Sequence, residues 1–255
     1  MKNLLINKKV IRVYDSIDEM PIVNFQKYNK YLLIDSGIGS DADDIDAHIT
    51  RIAKFIKANN SSKALQELQN MRQNMYMVNN EISPKYLAFA ALIHSIDGKE
   101  VSDLSDDGLK AALKELKEIK HSAIVELLLW LKKKVTFELE TYFPGDFVNS
   151  KEKDAYDKIK NRTLLVLDSI INGIDNTELI NAVDIMLINM HNPKSFIGSE
   201  SVEIKYDKQF ESTCLLIAQK TSMDAKKMTV LQFYNAIDNI KSQLEAETKS
   251  FHKRK

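Results

Sequence analysis

Apolar residues recur along most of this chain at steps of three and four, the spacing that places them on one face of an α-helix. After Pro21, Ile22, Phe25, Tyr28 and Leu32 share a side, predicting a helix over 22–35. Ile45, Ile49, Ile52 and Ile56 form a narrow stripe over 43–58. Leu65, Leu68, Met71, Met75 and Val78 continue the pattern over 61–81, behind Ser61 or Ser62 as cap. Ser83-Pro84 opens a helix over 85–96, which holds the run YLAFAALI and is apolar on all sides. Asp103 or Ser105 opens 106–119, and His121 or Ser122 opens a long helix to about 142, ended by Pro144-Gly145. A second group follows: 151–173, with Ile159, Leu164 to Leu167, Ile170 and Ile171; 178–190, capped by Thr177; about 207–221; and Thr229 to about Phe251.

Period-two alternation is confined to KKVIRVYDS at 8–16 and SVEIKYD at 201–207, where Val202, Ile204 and Tyr206 fall on one side. The expected fold is mainly α: a multi-helix bundle of about nine helices with one or two short strands, 8–16 and 201–207. With 7 Gly and 4 Pro in 255 residues, few breakers interrupt the helices. A boundary near 144–150 divides an N-terminal helical domain, 1–145, from a C-terminal segment, 150–255, with a projecting last helix; a single domain accommodates the same pattern.

Composition narrows the function class more than it names it. Hydrophobic residues make up 44% and charged residues 28%, and 36 Lys+Arg balance 36 Asp+Glu. A neutral chain has no long-range pull on nucleic acid or anionic lipid. The local exception, His252-Lys253-Arg254-Lys255, reads as a solvated tail. The most apolar run, AIVELLLWL at 123–131, is too short for about 30 Å of hydrocarbon, and the N-terminal MKNLLINKKVIR lacks the h-region of a signal peptide. A lone Cys214 on an apolar helix face predicts a buried thiol and a reducing compartment.

Candidate chemistry concentrates in LLIDSGIGSDADDIDAHI at 32–49, where Asp35, Asp41, Asp43, Asp44 and Asp46 crowd around Gly37-Ile38-Gly39. Position 42 is Ala where GxGxxG has its third Gly, no Lys-Ser/Thr follows, and the aspartates would repel phosphate. As an EF-hand loop starting at Asp41, the stretch fails at Ile45, Asp46 and Ile52. The reading that fits every residue is a turn: Gly37 left-handed after one helix, Ser40 or Asp41 capping the next, Asp43 and Asp44 in its first turn. The histidines 48, 94, 121, 191 and 252 show no metal-ligand spacing, and there is no HExxH or GxSxG. No catalytic residue, cofactor site or metal site emerges. The final stripe, Val230, Phe233, Tyr234, Ile237, Ile240 and Leu244, marks a helix that is apolar in its first half and polar in its second. It is the candidate protein interface, with packing on its own domain as the competing use.

Three phrases carry a family resemblance: VYDSIDEMPIVNFQKYNKYLLIDSGIGSDADDID at 13–46, RQNMYMVNNEISPKYLAFAALIHSIDGK at 72–99 and DLSDDGLKAAL at 103–113. Together they resemble a structural protein of the crAss-like tailed bacteriophages of gut Bacteroidetes, over roughly the first 140 residues and some of the last 50. The resemblance implies a non-enzymatic virion component of the portal–tail region, made in the host cytoplasm. Such a head-to-tail connector ring subunit would assemble with itself into a twelve-fold ring. It would also meet the portal protein and neighbouring tail or ring proteins, with passing contact to DNA in the lumen and none to membrane. It carries no site residue across. A tail-assembly chaperone or packaged cargo protein, or an enzyme with a metal on the acidic stretch, are the alternatives.

Overall fold

The computed structural model describes residues 1–39, 42–80, 82–116, 121–147 and 150–252. Ser40, Asp41 and Lys253-Arg254-Lys255, five of the positions weighed above as caps, ligand or tail, lie outside them. The chain opens with strands β1 (Lys2–Ile6) and β2 (Lys9–Val13), followed by helices α1 (Ile22–Ile38), α2 (Ala42–Lys57), α3 (Ser61–Asn80) and α4 (Pro84–Ala91). Then come β3 (Ile93–Ile96), β4 (Lys99–Glu100), α5 (Asp106–Leu116), α6 (His121–Tyr142) and the single turn α7 (Pro144–Phe147). The chain continues with α8 (Ser150–Asn172), α9 (Thr177–Met190), α10 (Val202–Thr221), a short 3-10 turn (Ala225–Lys227) and α11 (Val230–His252). The mainly α fold expected from the periodicity is present. So is a small antiparallel sheet of order β1-β2-β3-β4.

That sheet bears out one strand expectation and corrects the other. The 8–16 stretch contains β2, which pairs with the preceding hairpin arm β1, with Asn7 and Lys8 at the turn at φ 49° and 66°, and on its other side with β3. The 201–207 stretch is the start of helix α10. Its buried or half-buried Tyr206, Phe210, Cys214 and Ile217 recur at helical steps, and that period overrides seven residues of alternation. A second hairpin splits the apolar run at 85–96. The Leu92 amide closes α4 on the Phe89 carbonyl, and Asp97-Gly98, at φ 48° and 83°, turns β3 into β4. A Cβ-less Gly98 suits the second position of a turn with two positive φ values.

Two compact units emerge, each assembled from separated stretches: unit 1 is 1–36, 82–144 and 202–255, and unit 2 is 37–81 and 145–201. One of the crossings between them falls at Pro144–Gly145.

Unit 1 holds the apolar core. Ile124, Leu128, Leu131, Val135 and Leu139 of α6 are buried at steps of three and four, beside Ile11 and Val13 of β2, the whole apolar run from Leu87 to Ile93, and Leu109 and Leu116 of α5. The start of α11 is tied to the start of α1 through backbone: Ile22 N–H donates to Met228 O, and Val230 N–H to Met20 O, each at 2.9 Å. Thr229 and Gln232 complete a capping box there, and Ser105 Oγ accepts from Gly108 N–H to cap α5.

Unit 2 is built differently. Its buried apolar residues among those described are Ile38, Phe55, Ala64 and Ile188. Its interior otherwise contains His48, Glu67, Asn70 and Asn74, while the stripes expected to form a core face outward: Ile49 and Ile56 on α2, Leu65, Leu68 and Met75 on α3, Ile159, Leu164, Leu167, Ile170 and Ile171 on α8. The expected helix end at Asp35-Ser36 also moves. Helix α1 continues to Ile38, Gly37 is helical, and the left-handed residue is Gly39 at φ 82°. A side chain at Gly37 would collide with the Phe196 ring 2.5 Å away, so its missing Cβ serves packing rather than a turn.

Truncating Phe89, which is completely buried in unit 1, is expected to cost about 3–5 kcal/mol. Urea denaturation of Phe89→Ala followed by circular dichroism measures it. The same truncation at exposed Phe137 is expected to stay within about 0.5 kcal/mol.

Candidate functional site

The six residues expected as an interface sit on α11. Val230, Phe233 and Ile240 are buried inside unit 1, Tyr234 and Ile237 are half-buried, and Leu244 is exposed. The Phe233 ring stacks on Phe210 at 5.9 Å, and Tyr234 lies 5.6 Å from Phe143. From Lys241 to Lys249 every residue is exposed. The surface these six offer another chain is therefore Leu244 with the open edges of Tyr234 and Ile237.

In the acidic stretch, Asp43 and Asp44 occupy the first turn of α2, where the helix dipole favours them. Asp35 lies 3.8 Å from the Lys85 ammonium. No group of three or more His, Cys, Asp or Glu side chains among the described residues could hold a metal ion. Cys214 is a buried free thiol, and burial pushes its pKa up, away from nucleophilic use. His94 lies in β3, not at a helix end, and its Nδ1 is 3.0 Å from the Tyr14 hydroxyl.

The convergence that sequence reasoning missed is around Glu67 in unit 2. Its carboxylate is about 1% exposed. Oε1 accepts from His48 Nδ1 at 2.8 Å and Arg51 Nε at 2.5 Å, and Oε2 lies 3.5 Å from His191 Nε2. His48 and Arg51 are one turn apart on α2, so a single α2 face supplies both donors to one oxygen. His48 Nε2 lies 2.6 Å from the Ile38 carbonyl, which also accepts from Asn74 Nδ2 at 2.6 Å. His48 Nδ1 lies between the Glu67 carboxylate and Arg51 Nη2, 3.1 Å away, and Nε2 faces the Ile38 carbonyl, so both ring nitrogens are engaged. Burial alone would push the Glu67 carboxyl up; the His191, His48 and Arg51 side chains around it outweigh that and hold it well below the usual carboxylate range. Nearby, Lys63 Nζ donates to the carbonyls of Asn189 and His191 at the end of α9, and Gln66 Nε2 donates to Lys194 O. The cluster therefore fastens the end of α1, α2, α3 and the segment after α9 to one buried charge. These contacts hold helices together, which is a structural use.

No sequence signal could have found this cluster by spacing, because Glu67 stands nineteen residues from His48 and far from His191. The available hint was the inward period of α3 itself, Glu67, Asn70 and Asn74 at steps of three and four, opposite the apolar stripe.

The other conspicuous surface of unit 2 is apolar. On α8, Leu164 (55% exposed), Leu167 (44%), Ile170 (73%) and Ile171 (74%) form a continuous outward stripe. On α3, Leu65, Leu68, Met75 and Tyr76 form a second, with Arg72 at its middle. Among the described residues, no helix is long and apolar enough to cross a membrane.

Glu67→Gln keeps the shape but leaves the Arg51 guanidinium without its buried counter-charge. It is expected to destabilise the fold by about 3 kcal/mol or more, read by urea denaturation. The pH dependence has a definite sign. A carboxyl whose folded pKa is depressed contributes its full stabilisation above the unfolded value, near 4.5. As pH falls below about 5, the unfolded chain takes up a proton that the folded chain refuses, and stability declines progressively toward the depressed folded value. The wild-type chain is expected to lose more stability than Glu67→Gln between pH 6 and pH 4.

No family model, curated protein or solved structure matches this chain.

Proposed function

We propose that this protein is a non-enzymatic structural subunit of a tailed-phage particle, a head-to-tail connector ring protein that works through protein–protein interfaces. The observation that carries the reading is the division of labour between its units. Unit 1 encloses a large apolar core while leaving Leu5, Leu129, Phe137 and Leu215 exposed, whereas unit 2 turns long apolar helix faces outward from a polar, ion-paired interior. Exposed contiguous apolar surface of this kind marks interaction sites. Ring subunits need stiff elements carrying such faces, and helices of 20 and 23 residues, α3 and α8, supply them. The resemblance of residues 13–46, 72–99 and 103–113 to a crAss-like phage structural protein points to the same class. The partners in this reading are further copies of the chain, the portal protein and the adjacent tail proteins. The location is the virion.

Mass photometry of the purified chain, alone and mixed with portal protein, tests this directly. A discrete oligomer near twelve copies is expected. A chain that stays monomeric with portal and tail proteins present, or that is missing from purified particles, would overturn the reading.

A further inference from the structure

The two apolar stripes of unit 2 differ in charge as well as in place. The stripe on α3 carries Arg72 at its centre, exposed and without an ion-pair partner among the described residues. Leu65, Leu68, Arg72 and Met75 follow one another at steps of three and four, so the guanidinium lies in the seam. The stripe on α8 has an acidic edge. Asp157, Leu164, Asp168 and Ile171 succeed one another at steps of seven, four and three along one flank, and Asp157 is exposed with no partner among the described residues. Asp168 accepts from Asn172 and Asn176, which hold its carboxyl below the usual range and keep it charged.

We propose that the α8 stripe of one copy of this chain docks on the α3 stripe of the next, a heterologous contact in which Arg72 meets the acidic edge of α8. This rests on the ring-subunit reading and names the surfaces that would join its neighbours. Two-fold pairing of like stripes is disfavoured by the same charges. Two α3 helices crossing antiparallel about the middle of their stripe would bring both copies of Arg72 within about 5 Å along the axis, at about 1.5 Å per residue. That repulsion has no carboxylate on the stripe to relieve it. Two α8 helices paired antiparallel about Leu164–Leu167 would set Lys160 against Ile171, its nearest carboxylate being Asp157 one turn back on its own helix, and would leave Arg72 of both copies unanswered. The α3–α8 pairing joins apolar to apolar and cation to anion. Because the two patches are different, each copy keeps one of each free, and addition continues until a ring closes or a filament extends.

The test uses the full chain with Cys214→Ala, so that introduced cysteines are the only thiols. Leu68→Cys and Leu167→Cys are made singly and together, and coupled with a short bismaleimide. The expected result is a covalent dimer only when the two single variants are mixed, and a ladder of multimers from the double variant. Arg72→Glu is expected to weaken self-association on the order of tenfold. Homodimers from either single variant would show like stripes pairing and overturn the proposal. So would coupling confined to one chain in the double variant, which would make another part of the same molecule the occupant. An oligomer of normal size with no coupling would overturn this interface and leave the ring reading standing. A coupled ladder from a chain that never associates with portal or virion would sink the ring reading and leave the interface.

Discussion

Glu67 is a carboxylate with almost no access to water, and the arrangement of unit 2 follows from neutralising it. An unpaired buried carboxylate is so unfavourable that folding is possible only with its partners in place. Two of them, His48 and Arg51, come from α2, and His191 comes from the segment after α9. His48 in turn spends its second nitrogen on Ile38 at the end of α1. Once α3 commits its Glu67, Asn70 and Asn74 face to this interior, helical geometry sends Leu65, Leu68 and Met75 to the other side. The outward apolar stripe is therefore the geometrical complement of the buried charge.

That arrangement sets the energetics of the unit. At about 25 cal/mol per Å² of buried apolar surface, the four buried apolar residues among those described in unit 2 give it little hydrophobic stabilisation of its own. Ion pairs and hydrogen bonds supply direction instead: each works at one distance and one angle, so the helices lock in one register. The apolar stripes remain available for whatever covers them, and covering them adds the hydrophobic term that the unit lacks. Unit 1 has the opposite balance, with its sheet and α6 enclosing a continuous core and α11 bound to α1 through backbone amides.

The sequence was most legible where periodicity and burial agree. Helices α3, α6, α8, α9 and α11 lie within a few residues of the spans expected from apolar steps and caps. It misled where a pattern was read in too short a window. VEIKYD alternates over six residues, but the steps from Tyr206 through Phe210 and Cys214 to Ile217 decide for a helix. The hairpin at β3–β4 carried an Asp-Gly signal, hidden because the apolar run before it continues without interruption from helix into strand. The candidate site was less legible for a deeper reason. Apolar periodicity reveals that a helix has two faces and not which one is inside. On α2, the stripe Ile45, Ile49, Ile52 and Ile56 is real, yet His48 and Phe55 are the residues enclosed. Choosing the inner face required knowing that Glu67 had partners distant in sequence.

In the connector role proposed above, a subunit must be rigid enough to transmit a fixed rotation from one copy to the next, and an apolar core alone specifies orientation poorly. Helices packed by greasy contacts slide at little cost, whereas displacing His48 or Arg51 by an ångström or two leaves a buried charge unanswered. Placing the charge inside and the apolar surface outside gives unit 2 both properties: internal geometry pinned by directional bonds, and external faces that gain from being covered. The second half of α11 is exposed from Lys241 to Lys249 and presents Leu244 as its large apolar side chain. It is therefore a weaker candidate than the helices of unit 2 for the surface that fixes the angle between subunits.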